Sequence, residues 1–109
     1  MRLKTELWVQ ALIRRAQSGG AFACVLRRGE AEGGDVLVKV FQFGQGARIY
    51  ASAPGLNGER VWIEPLGEAS ARPETEADAY WRRRAETDVD LWVVEIEDRA
   101  GRSFLEAAP

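Results

Sequence analysis

Glu95, Glu97 and Asp98 close off the strand-like part of "DLWVVEIEDRAGRSF" (residues 90–104), with Asp88 and Asp90 just upstream, and they invite a chemical reading first. On an extended strand Glu95 and Glu97 share one face about 7 Å apart. Two carboxylates so placed can hold a magnesium ion, as in nucleases and phosphoryl-transfer enzymes. Such a site usually includes a positioned lysine, and the acid-x-lysine pattern is missing, because Lys39 has Leu37 at that spacing. Asp35, the nearest acid before Lys39, stands at a strand start where a turn explains it. Charged residues at strand ends are common without any function. The segment therefore reads as a strand with a charged exit and a turn, with Arg99 and Arg102 as partners for the acids. No residue is assigned a catalytic or metal-binding role, and no cofactor is expected.

The chain contains no histidine. That removes the commonest general base and metal ligand, and with it every Ser-His-Asp and Cys-His nucleophile arrangement. A zinc site of Cys and His cannot be assembled within one chain. The single cysteine, Cys24 in "AFACVLRR", has no disulfide partner in the chain, which agrees with a reducing compartment. Its spacing with Phe22 and Leu26 marks it as a small buried apolar residue on a strand, since a reactive thiol would need a base beside it.

Three arginine clusters come next: Arg14–Arg15, Arg27–Arg28 and Arg82–Arg83–Arg84. Nucleic-acid binders combine a basic face with aromatic side chains on which bases stack. Trp81 adjoins the last cluster, and Trp8 and Tyr80 are available. Consecutive helical residues point about 100° apart, however, so a triplet is not one patch. Seventeen acids against fifteen basic residues leave a net charge of −2, which does not draw the whole molecule to phosphate. "RRGEAEGGD" has neither GxGxxG nor a phosphate-binding GK[ST] and reads as a turn.

These residues must be carried by one domain. A chain of 109 residues buries roughly two-thirds of its unfolded surface. With 46% hydrophobic and 29% charged residues it has an ordinary globular composition. No apolar run approaches the ~20 residues of a membrane span, and Glu6, Gln10 and two arginines interrupt the start where a signal peptide would be apolar. A cytoplasmic location without membrane contact is the expectation.

The spacing predicts a helix over 4–17, with Trp8, Val9, Leu12, Ile13 and Ala16 on one face and Thr5 at its edge. Gly19 and Gly20 end it. Leu3, Leu7 and Ala11 form a thinner second stripe. Strands are predicted at 21–27, 36–43, 48–51 and 60–64, separated by glycine-bearing turns, with an up-and-down antiparallel order as the default. "VLVKVFQF" is apolar on both alternating faces and so is expected to be covered on both. A second helix begins at Pro73 and runs to about residue 87, with Glu74, Glu76 and Asp78 at its start, arginines at its end and an Asp78–Arg82 pair. A strand over 91–97 and a type I turn at "DRAG" follow. A short returning strand over 102–105 is expected next, then a frayed "EAAP" tail.

The ends "RLKTELWVQALIRR" and "DVDLWVVEIEDRAGRSFLE", with "VLRRGEAEGGDVLVKV" in the middle, resemble domain-of-unknown-function family 1491, small proteins of alphaproteobacteria. The likeness covers most of the chain and is thinnest over 51–75. It implies one complete cytoplasmic domain and supplies no activity, substrate or catalytic residue.

The expected fold is α+β: a mainly antiparallel sheet of five or six strands with two helices on opposite faces, in the order α-β-β-β-β-α-β-β. A crossover through the second helix would put one parallel pair in the sheet. A non-catalytic protein-interaction domain is the leading functional expectation, with an unknown protein or a second copy as partner. Leu3, Leu7, Trp62 and Trp81 are its candidate surface residues, although burial in the core is the commoner fate of each. A nucleic-acid-associated protein ranks second and requires the arginine clusters to converge. A histidine-free enzyme ranks third and requires Glu95, Glu97 and an aspartate to meet an arginine in a pocket.

Overall fold

The computed structural model describes residues 4–68 and 71–109. Leu3 lies outside them. Helix α1 spans Thr5–Ser18 and buries Thr5, Trp8, Val9, Leu12 and Ala16, the stripe its periodicity requires. Each large apolar side chain so buried contributes about 1.5–3 kcal/mol. Strands β1 (Phe22–Arg27), β2 (Val36–Gln42), β3 (Gly46–Pro54) and β4 (Arg60–Ile63) follow, then helix α2 (Glu74–Thr87) and strand β5 (Trp92–Glu97). The sheet order is β1-β5-β2-β3-β4. Among the described residues only β5 and β2 run parallel, with Val36 opposite Trp92 and Phe41 opposite Glu97. The other pairs are antiparallel. Two helices and a five-stranded, mainly antiparallel sheet thus form the expected α+β fold.

The default up-and-down order holds for β2, β3 and β4 but not for β1 and β2, which β5 separates. The physical reason lies in β5 itself. Trp92, Val93, Val94 and Ile96 are all buried, so both faces of β5 need cover and both edges need a partner strand. Residues 28–35 consequently cross the start of β5 instead of making a hairpin. The Glu30 N–H donates to the Asp90 carbonyl at 3.1 Å, and the Trp92 indole N–H donates to the Glu30 carbonyl at 2.7 Å. At Gly34 a Cβ would collide with the Asp90 carbonyl oxygen, so the loop can lie this close only without a side chain.

The sheet has a core on each face. Trp8, Val9, Leu12 and Ala16 pack on Ala23, Val36, Val38, Val40, Trp92, Val94 and Ile96. On the opposite face Ala77 of α2 packs with Leu37, Ala47, Ile49, Leu91 and Val93. The two helices are offset: α1 lies over β1 and β5, whereas α2 lies over β2 and β3. This diagonal arrangement leaves one corner of each face without a helix.

The corner on the α1 face is filled by the C-terminal tail. Among the described residues no strand follows β5. Phe104 takes a positive φ of 58° and Arg102 turns back to bond Asp98 and the Gly19 carbonyl, so 102–105 cannot extend along the sheet. The tail is pinned where fraying was expected. The Trp8 indole donates to the Ala107 carbonyl at 3.1 Å, the Trp62 indole to the Glu106 carbonyl at 2.8 Å, and the Arg15 guanidinium to the Phe104 carbonyl at 3.0 and 3.2 Å. Beneath the tail the Trp8 and Trp62 rings lie 5.5 Å apart.

Candidate functional site: an open corner of the sheet

On the α2 face no helix lies over β1, and although Val93 of β5 is buried, the Phe22–Glu97 end of the two strands stays open. Two rows of side chains cross it. In the first, Cys24, Glu95, Lys39 and Ile49 stand opposite one another on β1, β5, β2 and β3. In the second, Phe22, Glu97, Phe41 and Ala47 do the same.

Lys39 dominates the first row. It is 2% exposed, and a buried ammonium needs compensating charge. Its Nζ donates to Glu74 Oε2 and to Asp78 Oδ1, both at 2.7 Å, and lies 3.6 Å from Glu95 Oε2. Burial works against its charge, yet the bonds to Asp78 and Glu74 and the nearby Glu95 carboxylate prevail and hold its pKa above the ordinary lysine value. Asp78 is opposed by burial in the same way, but Lys39 and the Trp81 indole N–H, 3.0 Å from Oδ1, hold its pKa low. Glu95 goes the other way: burial and the neighbouring Glu97 raise its pKa against the pull of Lys39. The pKa of Cys24 beside it is also raised, by burial and then by Glu95 and Glu97, which disfavours the thiolate.

The cation these carboxylates hold is therefore the chain's own lysine. In the sequence Leu37 stands where the acid of an acid-x-lysine pattern would be, but strand pairing sets Glu95 directly opposite Lys39. Among the described residues no group of three or more Cys, Asp or Glu side chains is arranged to hold a metal ion. The signal for this network was present in the sequence. Lys39 is the one charged residue within a strand apolar on both faces, and the helix that must cover it begins with carboxylates four residues apart, Glu74 and Asp78. Asp78 is thus engaged by Lys39 and Trp81, and Arg82 instead places its guanidinium 5.3 Å from the Trp81 ring centre.

Asp98 belongs to the turn. Its carboxylate accepts from the Arg102 guanidinium (Nε 3.0 Å, Nη2 2.8 Å) and from the backbone N–H groups of Arg102 (2.8 Å) and Ala100 (3.2 Å). The Arg102 bonds, foremost, draw its pKa from 3.8 down to about 2. A carboxylate held below its unfolded value stabilises the fold above that value, and the contribution disappears as pH falls through the folded value. Asp98→Ala is expected to lower stability by about 2 kcal/mol at neutral pH. The difference from wild type should narrow between about pH 4 and pH 2, read from urea unfolding across that range. Arg99 makes a different contribution: its carbonyl accepts from the Gln42 side chain at 2.9 Å.

The remaining candidates are dispersed. The Arg14–Arg15 cluster is on α1 and the Arg82–Arg84 cluster on α2, on opposite faces of the sheet. Arg15 is engaged by Phe104 and by Glu106 at 3.4 Å. The Arg27 guanidinium donates to the Leu91 carbonyl at 2.6 Å. Arg28 pairs with Glu6 and lies 5.2 Å from the Trp92 ring centre. Arg84 donates to the Tyr80 hydroxyl at 3.2 Å, and Arg83 is exposed. Leu7 is half exposed on α1, Trp62 packs on Trp8, and Trp81 is half-buried on α2.

What sequence reasoning missed is the second row of the open corner. Phe22 is 58% and Phe43 90% exposed. Together with Phe41, Gly20, Glu97 and Arg99 they line a hollow of about 290 Å³ at the end of the sheet. Both phenylalanines look like strand residues in the sequence, but α2 lies away from Phe22 on β1, and Phe43 falls just beyond the end of β2.

A helix-covered five-stranded mixed sheet with one diagonal corner open is the class of domain these features define. The description "Protein of unknown function (DUF1491)" matches residues 3–106, and the chain belongs to that family. Among solved structures, the crystal structure of a DUF1491 family protein from Caulobacter crescentus CB15 is 50% identical, covering 98% of both chains, with a TM-score of 0.88. An NMR structure of a DUF1491 family protein from the same organism is also 50% identical, over 99% of this chain and 96% of the other, with a TM-score of 0.87. The solution structure of protein Atu0922 from A. tumefaciens is 34% identical over 90% and 87% of the two chains, with a TM-score of 0.74. No curated protein matches the chain.

Proposed function

We propose that this is a non-catalytic protein-interaction domain that docks its partner in the open corner beside β1. The observation that carries this reading is the pair of exposed rings, Phe22 and Phe43, around the hollow next to Phe41. Contiguous apolar surface of this kind marks sites of association. The outer edge of β1 lies alongside, and alternate residues of an edge strand direct unpaired N–H and C=O groups outward. A bulge between Val25 and Arg27 limits regular pairing to the Phe22 end, next to the hollow. The nucleic-acid reading is weakened by arginine clusters on opposite faces. The carboxylate-enzyme reading is weakened because Glu95 faces a lysine and Glu97 stands on open surface. A cytoplasmic setting goes with this function, since the lone Cys24 thiol needs no oxidising compartment.

The test is comparative capture from nuclease-treated native lysate by the wild-type chain and by Phe22→Asp and Phe43→Asp. Both variants are expected to melt within a few degrees of wild type and to lose captured proteins that wild type retains. An unchanged capture profile in the two variants rejects this docking surface.

A further inference from the structure

Resting on the docking reading, we infer that the hollow receives an arginine side chain presented by the partner protein. The argument begins with register. Phe22 stands opposite Glu97 across β1 and β5, and Glu97 opposite Phe41 across β5 and β2. Neighbouring strands lie about 4.8 Å apart, so the Glu97 carboxylate is flanked on both sides by a phenyl ring. Phe43 closes the end of the same hollow. Aromatic faces attract cations, and a carboxylate between them supplies the counter-charge.

The surroundings have the same sign. Behind Glu97, the three carboxylates of Glu74, Asp78 and Glu95 surround the single ammonium of Lys39, leaving an excess of negative charge. Asp98 is matched by Arg102, and among the described residues Arg99 is the remaining cation on the rim. A neutral apolar side chain would fill the hollow but leave this field unanswered. A guanidinium meets both demands, since it stacks flat on a ring and offers a fork of N–H donors to a carboxylate, whereas an ammonium is a strongly hydrated point charge. The chain builds the same combination within itself a few residues away. The Arg102 guanidinium lies 4.7 Å from the Phe104 ring centre while its Nε and Nη2 bond the two Asp98 oxygens at 3.0 and 2.8 Å.

The experiment is a ¹⁵N NMR titration of the full chain with three blocked tripeptides, Val-Arg-Val, Val-Lys-Val and Val-citrulline-Val, citrulline being the neutral isostere of arginine. The arginine peptide is expected to produce saturable shifts at Phe22, Phe43 and Glu97, with at least fivefold tighter binding than the other two. Glu97→Gln, a surface change that preserves the fold, should reduce arginine-peptide affinity to the citrulline level and leave the citrulline peptide unaffected. Equal affinity for arginine and citrulline, equal affinity for arginine and lysine, or no saturable shift at these residues overturns the inference. Lysate capture separates the two levels. If Phe22→Asp abolishes capture while the peptides show no preference, docking stands and the arginine assignment falls. If capture is also unchanged, both fall.

Discussion

Replacing Lys39 with methionine is expected to lower the unfolding free energy by about 3 kcal/mol, because removing one member of a buried ion group strands the others. In a domain of this size the loss appears as a fall in Tm of about 10–20 °C. Methionine fills much of the lysine volume, so the change isolates charge from packing. The three acids do not suffer equally. The Glu95 side chain is 12% exposed, against 22% for Asp78 and 41% for Glu74, so Glu95 has the least water to turn to. Adding Glu95→Gln to Lys39→Met should therefore restore about 1 kcal/mol, whereas Glu74→Gln in the same background should restore little. Urea unfolding of the single variant and the two double variants measures all of this. A single variant as stable as wild type would mean that the lysine contributes no more than an apolar side chain does. The raised Lys39 pKa gives the effect its pH range: the contribution is present through neutral pH and is lost only as pH rises above the ordinary lysine value.

A chain ending at Ser103 is the second large effect, again about 3 kcal/mol, from partial burial of two apolar side chains and three lost hydrogen-bonded contacts. Phe104 and Leu105 leave the α1-face core, and the indole N–H groups of Trp8 and Trp62 lose their carbonyl acceptors. Arg15 loses the carbonyl it forks onto and its ion pair with Glu106. Uncovering two tryptophans should also shift the fluorescence emission to longer wavelength in the folded state. Trp62→Phe is the sharper probe of the tail, since it keeps the aromatic contact with Trp8 and removes one donor, at about 1 kcal/mol. Wild-type stability and emission in the truncated chain would show that the tail contacts carry no weight.

Local pattern made much of this fold legible. The buried face of α1, the Pro73 entry to α2 and the two-sided burial of Val36–Gln42 all follow from periods of 3.6 or 2 within a dozen residues. The turn after Glu97 was equally readable, since Asp98 and Gly101 fit its first and fourth positions, and Gly101 has a φ of 73°. Long-range pairing was not readable in the same way. That β5 enters between β1 and β2 depends on contacts across more than fifty residues, and so does the meeting of Lys39 with Glu95. The open corner was least legible of all. Phe22 and Phe43 carry the chemistry of buried residues, and their exposure depends on where α2 comes to rest and on where β2 ends.

The position of β5 also fixes an order of events during synthesis. β1 is the first of the five strands to be made, yet its strand partner is the last of them, so it has no neighbour until β5 has been translated. The β2–β3–β4 meander can pair as soon as it emerges, while α1 and β1 must wait with an unsatisfied strand edge. Only the arrival of Trp92–Glu97 joins the two halves, by one antiparallel and one parallel pairing at once. Such late, non-local closure is expected to slow folding and to leave α1 and β1 the segment most exposed to mispairing on the ribosome.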